Sequence, residues 1–334
     1  MRVEKLICID ETNHNKVYEM HQLSSDSWVA KYGRVGAALV ETTYPMSQFD
    51  KKYREKIRKG YKPITELVTV AAGPEASASD LFAKVDAACR EVLEFLQGCA
   101  RDTVKRNYTI AASAVTEKQI AKAQEIIDAL TVTITTAASL EAANKQLLEL
   151  YRVIPRKMSS VKDHLAKNLD HLKKLVEHEQ DLLDTMASQV QTSQPQAQSG
   201  DQSSALPFTI RLATDSEIAE IKQQTDLDVT KVRNIYAVTH FESRNRYQSV
   251  GVSNEKLLAH GSRNENWMSI LTAGFKIRPA NAIATGSMYG DGIYLANKVR
   301  KAIGYTSLRG SYWARGASNR AFIALLNTNC GRMW

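Results

Sequence analysis

The chain has 334 residues, 43% of them hydrophobic, and a formal net charge of +8. This length calls for two or three domains, and the composition is ample for packed cores. No apolar run approaches the roughly 18 residues of a membrane span, and the N-terminus lacks the order of a signal peptide, so an intracellular protein without a membrane partner is expected, nuclear in a eukaryote and otherwise cytoplasmic. Four scattered cysteines (Cys8, Cys89, Cys99, Cys330) form no C-x-x-C pair and have no histidine at zinc spacing, so they read as reduced structural thiols, with no bound metal expected.

Residues 1–68 read as short strands followed by a helix. "KLICIDE", "KVYEMHQLS", "SWVAKYG" and "AALVETTY" are rich in β-branched and aromatic residues and separated by polar turns. The helix from about Met46 carries "FDKKYREKIRKGYK", with Lys51, Lys52, Arg54, Lys56, Arg58, Lys59 and Lys62 against Asp50 and Glu55. Such a run is either a solvated helix face or a phosphate-binding face with Tyr53 and Tyr61 interleaved. Residues 69–79, containing "AAGPEASAS", have the small and helix-breaking residues of a linker.

Residues 80–190 change to helical periodicity. Leu81, Val85, Ala88, Val92, Phe95 and Leu96 recur at helical spacing. "TEKQIAKAQEIIDAL" opens with a capping box of Thr116 and Gln119, and "SLEAANKQLLELYRVI" is a helix stopped by Pro155. A fourth helix, "VKDHLAKNLDHLKKLVEHEQDLLDTMASQV", repeats histidine every seven residues at His164, His171 and His178. That spacing puts ligands about 10 Å apart along the axis, so a solvated helix face is expected rather than a metal stripe. Residues 191–206 are Gln/Ser-rich and aperiodic, as in a disordered linker. Residues 207–334 then alternate strands ("VTKVRNIYAVTH", "RAFIALLNTN") with short helices ("NWMSILTAGF").

The chemistry gathers late in the chain. Gly290 and Gly292 form only a lone G-x-G, with Leu295 where a third glycine belongs, so a Rossmann loop is rejected. His260 has no nucleophile elbow beside it, and alone it would be read as a structural histidine. "LLAHGSRNENWMSILTAGFKI" followed by "TGSMYGDGIYLANKVRKAIGYTS" resembles the catalytic domain of the poly(ADP-ribose) polymerase family, through H-G-S, Asn266, the helix ending in Gly274, the Y-G-x-G-I-Y-x-A run and a tyrosine eleven residues on. "WVAKYGRVGA" resembles that family's WGR module, with Tyr32-Gly33-Arg34 as the tripeptide. "TEKQIAKAQEIIDAL" and "LLELYRVIP" resemble its regulatory helical domain. The likeness is to short, zinc-finger-free, DNA-dependent members.

The resemblance implies an α+β multidomain chain: a small β-sheet plus helix as a WGR-like DNA-binding module (1–68), an all-α regulatory bundle (80–190) and a split-β ADP-ribosyltransferase domain (207–334), incomplete at its end. It implies NAD+ as substrate, with no metal. His260 and Tyr294 would be catalytic. Gly261 would pair with the nicotinamide amide, Tyr305 would stack on its ring with Tyr294 beside it, and His260 and Ser262 would hold ribose hydroxyls. Lys301 would lie near the acceptor groove, and Arg278 or Lys276 would meet the pyrophosphate. Tyr32, Arg34, Lys52 and Lys56 would contact DNA ends.

Three departures from the family pattern stand out. The glutamate that completes a His-Tyr-Glu set has no counterpart before Trp334, Ala302 replaces a serine, and Tyr32 replaces the tryptophan of the tripeptide. The expectation is therefore a DNA-break-activated NAD+ ADP-ribosyltransferase (a glycosyltransferase of the DNA damage response, acting on acceptor proteins), truncated and inactive as the 334-residue chain. The alternatives are a DNA-end-binding protein with an inert transferase domain, or a protein-interaction module.

Overall fold

The computed structural model describes residues 1–64, 81–136, 139–193, 206–251, 254–276 and 292–331. The first linker, the centre of the second (194–205), Arg278 and Gly290 lie outside the described residues.

All four predicted N-terminal strands form: β1 (Val3–Ile9), β2 (Asn15–Gln22), β3 (Ser27–Arg34) and β4 (Val40–Pro45). A short β5 (Lys62–Pro63) completes an antiparallel sheet of order β4-β3-β2-β1-β5. Successive side chains on a strand point to opposite faces, which sorts the apolar run "LICI" into two cores. Leu6 joins Tyr18, Met20, Trp28, Ala30 and Phe49 beneath the basic helix α1 (Phe49–Arg58). Ile7 and Ile9 join the helical core on the other face. A strand buried on both faces reads as continuously apolar rather than alternating, as β1 does.

The helices are α2 (Ala87–Asn107), α3 (Glu117–Thr135), α4 (Leu140–Val153) and α5 (Leu169–Ser193). The Thr116–Gln119 capping box is present: Gln119 N donates to Thr116 Oγ1 (3.2 Å) and Thr116 N to Gln119 Oε1 (3.0 Å). Helix α4 stops where predicted, because the residue before Pro155 is driven to extended backbone, as Ile154 is. Ile127, Leu130, Leu147, Tyr151, Leu172 and Met186 fill the core between α3, α4 and α5. Within it Arg156 and Glu179, each 2% exposed, form an ion pair, with the guanidinium also 5.0 Å over the Tyr108 ring. Burial pushes the Glu179 carboxyl up, and the Arg156 charge opposes that shift.

The histidine repeat does not share one helix face. His164 sits in a 3-10 turn (Val161–His164) before α5 and packs edge-on against Tyr151 at 6.0 Å, half-buried. The turn arises because Leu165 is extended and α5 begins only at Leu169.

Described residues 1–64 and 103–193 form one compact unit, and 81–102, 206–251, 254–276 and 292–331 form another, so the boundary falls inside α2. Phe82, Val92, Leu93, Leu96 and Ala100 pack with Phe208, Trp267 and Met268, whereas Val104 and Tyr108 belong to the helical core. The second unit holds two antiparallel pairs, β6 (Phe208–Leu212) with β7 (Tyr236–His240) and β8 (Glu255–Gly261) with β9 (Ile323–Asn329). Its helices are α6 (Asp215–Gln224), α7 (Phe241–Ser249), α8 (Trp267–Ala273) and α9 (Val299–Ile303). Mixed α and β domains with separate sheets and a helical bundle are therefore observed. Among the described residues no helix is long and apolar enough to cross a membrane.

Candidate active site

The end of β8 organises the second unit. His260 stands opposite Ala324 and Gly261 opposite Ile323 in the β8–β9 ladder. On its other side Ala259 exchanges two backbone hydrogen bonds with Ala296, both 2.8 Å, which draws residues 294–296 alongside. His260 Nδ1 then lies 3.0 Å from the Tyr294 carbonyl. A carbonyl only accepts, so Nδ1 carries the proton and Nε2 of the neutral ring is left as an acceptor. Phe275 meets the ring edge-on at 4.8 Å and Trp267 at 6.4 Å. Burial pushes the His260 pKa below its ordinary value, against the Tyr294 carbonyl, which favours the charged form.

Gly261 is required by contact. A Cβ there would lie 1.8 Å from the Ala302 carbonyl oxygen of α9. That same oxygen accepts from Tyr305 N (3.0 Å), so one carbonyl joins the end of β8 to the turn that carries Tyr305. Ser262 Oγ accepts from Asn266 Nδ2 (3.2 Å), and Lys301 is exposed on α9. The structure thus brings His260, Gly261, Ser262, Tyr294, Lys301 and Tyr305 onto adjoining elements. Among the described residues no carboxylate hydrogen-bonds His260. Lys276 is exposed.

Two residues were missed by the sequence reading. Asn264, 3% exposed, braces the site: its N–H donates to Ser307 Oγ (2.9 Å) and its Nδ2 to the Arg320 carbonyl (3.0 Å). Trp313 stacks on Tyr305 at 5.9 Å and 19° while remaining 59% exposed. The signal for Trp313 was its place in "RGSYWARG", a glycine-flanked loop with no aliphatic partner.

The four residues expected at DNA behave differently. Lys56 Nζ sits 4.0 Å over Tyr18, 5.4 Å over Tyr61 and 6.0 Å over Tyr32, and Tyr32 stacks on Tyr18 at 5.6 Å. Burial, helped by Lys59, Lys52 and Lys16, pushes the Lys56 pKa down. Lys52 lies 5.4 Å over Tyr44 and 3.5 Å from Glu55. Arg34 Nη2 instead donates to the carbonyls of Met158 (3.2 Å) and Ser159 (2.7 Å), beyond α4.

Cys8, Asp10 and His14 bring one candidate ligand atom each within 4.8 Å of one another on the β1–β2 hairpin, a grouping without the spacing of a zinc finger. The Asp10 carboxylate is already engaged by His14 Nδ1 (2.6 Å), Thr12 Oγ1 (2.6 Å) and Thr12 N (2.9 Å).

Comparison with known proteins bears on the same residues. The family described as "Poly(ADP-ribose) polymerase catalytic domain" matches residues 215–314. The chain is 27% identical over 158 residues to "Uncharacterized protein 101L" of Invertebrate iridescent virus 6, a match covering 47% of this chain and 65% of that protein. It is 38% identical over 85 residues to "Poly [ADP-ribose] polymerase 2-A" of Oryza sativa subsp. japonica, covering 25% of this chain and 13% of that one. With "Poly [ADP-ribose] polymerase" of Sarcophaga peregrina it shares 40% identity over 88 residues, 26% of this chain and 8% of that one. The matches thus span under two thirds of each relative's length. A region similar to the poly(ADP-ribose) polymerase catalytic domain is what carries His260, Gly261, Tyr294 and Tyr305.

Proposed function

We propose that this chain is an NAD+ ADP-ribosyltransferase of the poly(ADP-ribose) polymerase type, activated by DNA breaks, that transfers ADP-ribose to protein or nucleic-acid acceptors and releases nicotinamide. The observation that carries the reading is the convergence of His260, Gly261 and the Tyr305 turn around the Ala302 carbonyl, inside the segment matched to that catalytic domain.

The reaction breaks the bond between nicotinamide and ribose. The electron pair leaves with nicotinamide, which becomes neutral, and an acceptor oxygen or nitrogen attacks the resulting oxocarbenium-like carbon and gives up its proton. Such chemistry depends on holding the ring and the ribose in place more than on a strong nucleophile. His260 Nε2, an acceptor once Nδ1 is committed to the Tyr294 carbonyl, takes a ribose hydroxyl, with Ser262 beside it. Gly261 offers backbone to the nicotinamide amide, and Tyr305 offers a ring face to the flat heterocycle, with Tyr294 packed beside it. Lys301 serves the acceptor side.

Residues 1–68 sense DNA ends through Tyr32, Lys52, Lys56 and Arg34, and 80–190 gate the site. The Arg34 bonds to the Met158 and Ser159 carbonyls support a link between the sheet and the region proposed as the gate.

The test is nicotinamide release with and without nicked DNA. In a form that also supplies the glutamate, turnover that rises with nicked DNA, a raised KM for NAD+ in Tyr305→Ala, and DNA-independent turnover after deletion of 80–190 are expected, whereas the 334 residues alone should release no nicotinamide. Because burial lowers the His260 pKa, NAD+ affinity should stay flat as pH falls through the ordinary histidine range and drop only below it. A second reading, a DNA-end-binding protein with an inert transferase domain, is favoured by His260 having no carboxylate partner among the described residues. Tight binding of nicked DNA with no nicotinamide release even from the glutamate-bearing form would support it and overturn the first.

A further inference from the structure

From residue 292 to residue 334 the sequence contains no aspartate or glutamate, but seven lysines and arginines from Lys298 to Arg332. This basic stretch also holds the two most exposed rings among the described residues, Tyr312 at 76% and Trp313 at 59%. Trp313 lies nearly parallel to Tyr305, itself 41% exposed, and Tyr312 stands edge-on to Trp313 at 4.5 Å and 88°. Large rings left in solvent are ordinarily folded inward, so a loop that holds three of them out calls for a reason.

The loop is built to do so. Trp313 N and Ala314 N both donate to the Gly304 carbonyl (2.9 and 3.0 Å). Trp313 Cδ1 would lie 3.0 Å from a Cβ on Gly304, so the indole packs against bare backbone. Arg309 N donates to Ser318 O (2.8 Å) and Ser318 N to Ser307 O (2.9 Å), closing the loop at its base. Gly316 N donates to Ser311 Oγ (2.8 Å), and Arg263 Nη2 donates to the Ala314 carbonyl (3.0 Å). A Cβ on Gly316 would fall 2.2 Å from the Ser307 carbonyl, so this approach also depends on glycine. The rings are therefore held in place before any ligand arrives.

The chemistry around them selects the ligand. In "LRGSYWARGAS", residues 308–318, the only large aliphatic side chain is Leu308, so the surface is aromatic rather than generally apolar. Arg300, Lys301, Arg309 and Arg315 are exposed, and among the described residues none is paired with a carboxylate. Stacking rings flanked by unpaired cations match nucleobases joined by phosphates. In a duplex the base faces are stacked on one another and closed to such rings, which leaves single strands.

We propose that residues 304–318 form a stacking platform for single-stranded nucleic acid, on which Tyr312 and Trp313 take base faces while Arg300, Lys301, Arg309 and Arg315 meet the phosphates. The surface belongs to the second unit and borders the proposed nicotinamide site, sharing Tyr305 and Lys301 with it, but its contacts through Tyr312, Trp313, Arg309 and Arg315 need neither His260 nor NAD+ and are tested in their absence. It is also separate in sequence from the duplex-end contacts assigned to residues 1–68.

The test uses the full chain with oligodeoxythymidylate and oligouridylate. Trp28 (0% exposed) and Trp267 (5%) are buried, so in a Trp334→Phe background the quenching of indole fluorescence reports on Trp313. Quenching by either oligonucleotide is expected, with log affinity falling against log salt by about 0.7 per phosphate contacted. Trp313→Ala and Tyr312→Ala should each weaken binding about ten- to hundred-fold by anisotropy, as loss of a base–ring stack does. Trp313→Phe should stay within a few-fold, and the double charge reversal Arg309→Glu/Arg315→Glu should weaken binding and flatten the salt slope. Lys59→Ala, at the C-terminal cap of α1, should leave the quenching unchanged. Absence of quenching at low salt would overturn the proposal. So would single-strand affinity that survives Trp313→Ala and Arg309→Glu/Arg315→Glu but falls with Lys59→Ala, because the binding would then belong to residues 1–68.

Discussion

In β1, Leu6, Ile7, Cys8 and Ile9 are at most 5% exposed, whereas none of the seven residues of β9 is fully buried. Both strands contain four-residue apolar runs, "LICI" and "IALL", so apolar content alone does not separate them. The difference is cover. Side chains on β1 meet α1 on one face and the helical core on the other, while β9 pairs with β8, whose end carries the candidate site. Among the described residues, β1 therefore contributes more burial than β9.

The largest effect should come from the covered region. Glu179→Ala would leave the Arg156 guanidinium buried and unpaired, at a cost of about 3–5 kcal/mol. Urea denaturation measures this, and the double variant Arg156→Met/Glu179→Leu should recover most of the loss. A cost under about 1 kcal/mol for the single variant would mean the pair is solvated.

The strand comparison is tested directly by matched truncations. Ile7→Ala should cost about 2–5 kcal/mol, whereas Leu325→Ala in β9 should cost less, because a partly buried side chain loses less burial. Equal losses would break the distinction drawn here.

Gly261→Ala probes the close approach of α9 to the end of β8. Placing a methyl 1.8 Å from the Ala302 oxygen forces α9 and the Tyr305 turn to move, and NAD+ affinity by calorimetry should fall about 100-fold. Unchanged affinity would remove Gly261 from the proposed site.

The smallest effects are local. Thr116→Ala removes a cap from α3 and should cost about 1 kcal/mol by thermal melting. Burial pulls the Asp10 carboxyl up, but hydrogen bonds from Thr12 and His14 outweigh it and hold it at about 2. The folded value is lower than the unfolded value of about 4, so the contribution is present above pH 4 and lost as pH falls toward 2. Wild type minus Asp10→Asn should trace that loss. The amplitude should stay under about 1 kcal/mol, because the carboxylate is partly solvated.

Much of this molecule could be read before folding it. The four strands, the capping box at Thr116 and the helix stop before Pro155 follow from residues a few positions apart, whereas the segment carrying His260, Gly261 and Tyr305 stood out only by its resemblance to a known family. Periodicity, caps and proline geometry act within one turn or one strand, so the linear order contains them. Partners distant in sequence were decided only in three dimensions. The basic run of α1 read equally as solvent face or phosphate face, and only the fold set Lys56 over Tyr18, Tyr32 and Tyr61. Arg34 found the carbonyls of Met158 and Ser159, and Trp313 found Tyr305. His164 left the predicted helix because packing against Tyr151 and an extended Leu165 outweighed the heptad spacing. Long side chains choose among partners by which surfaces the packed elements bring within reach, and no local pattern encodes that choice.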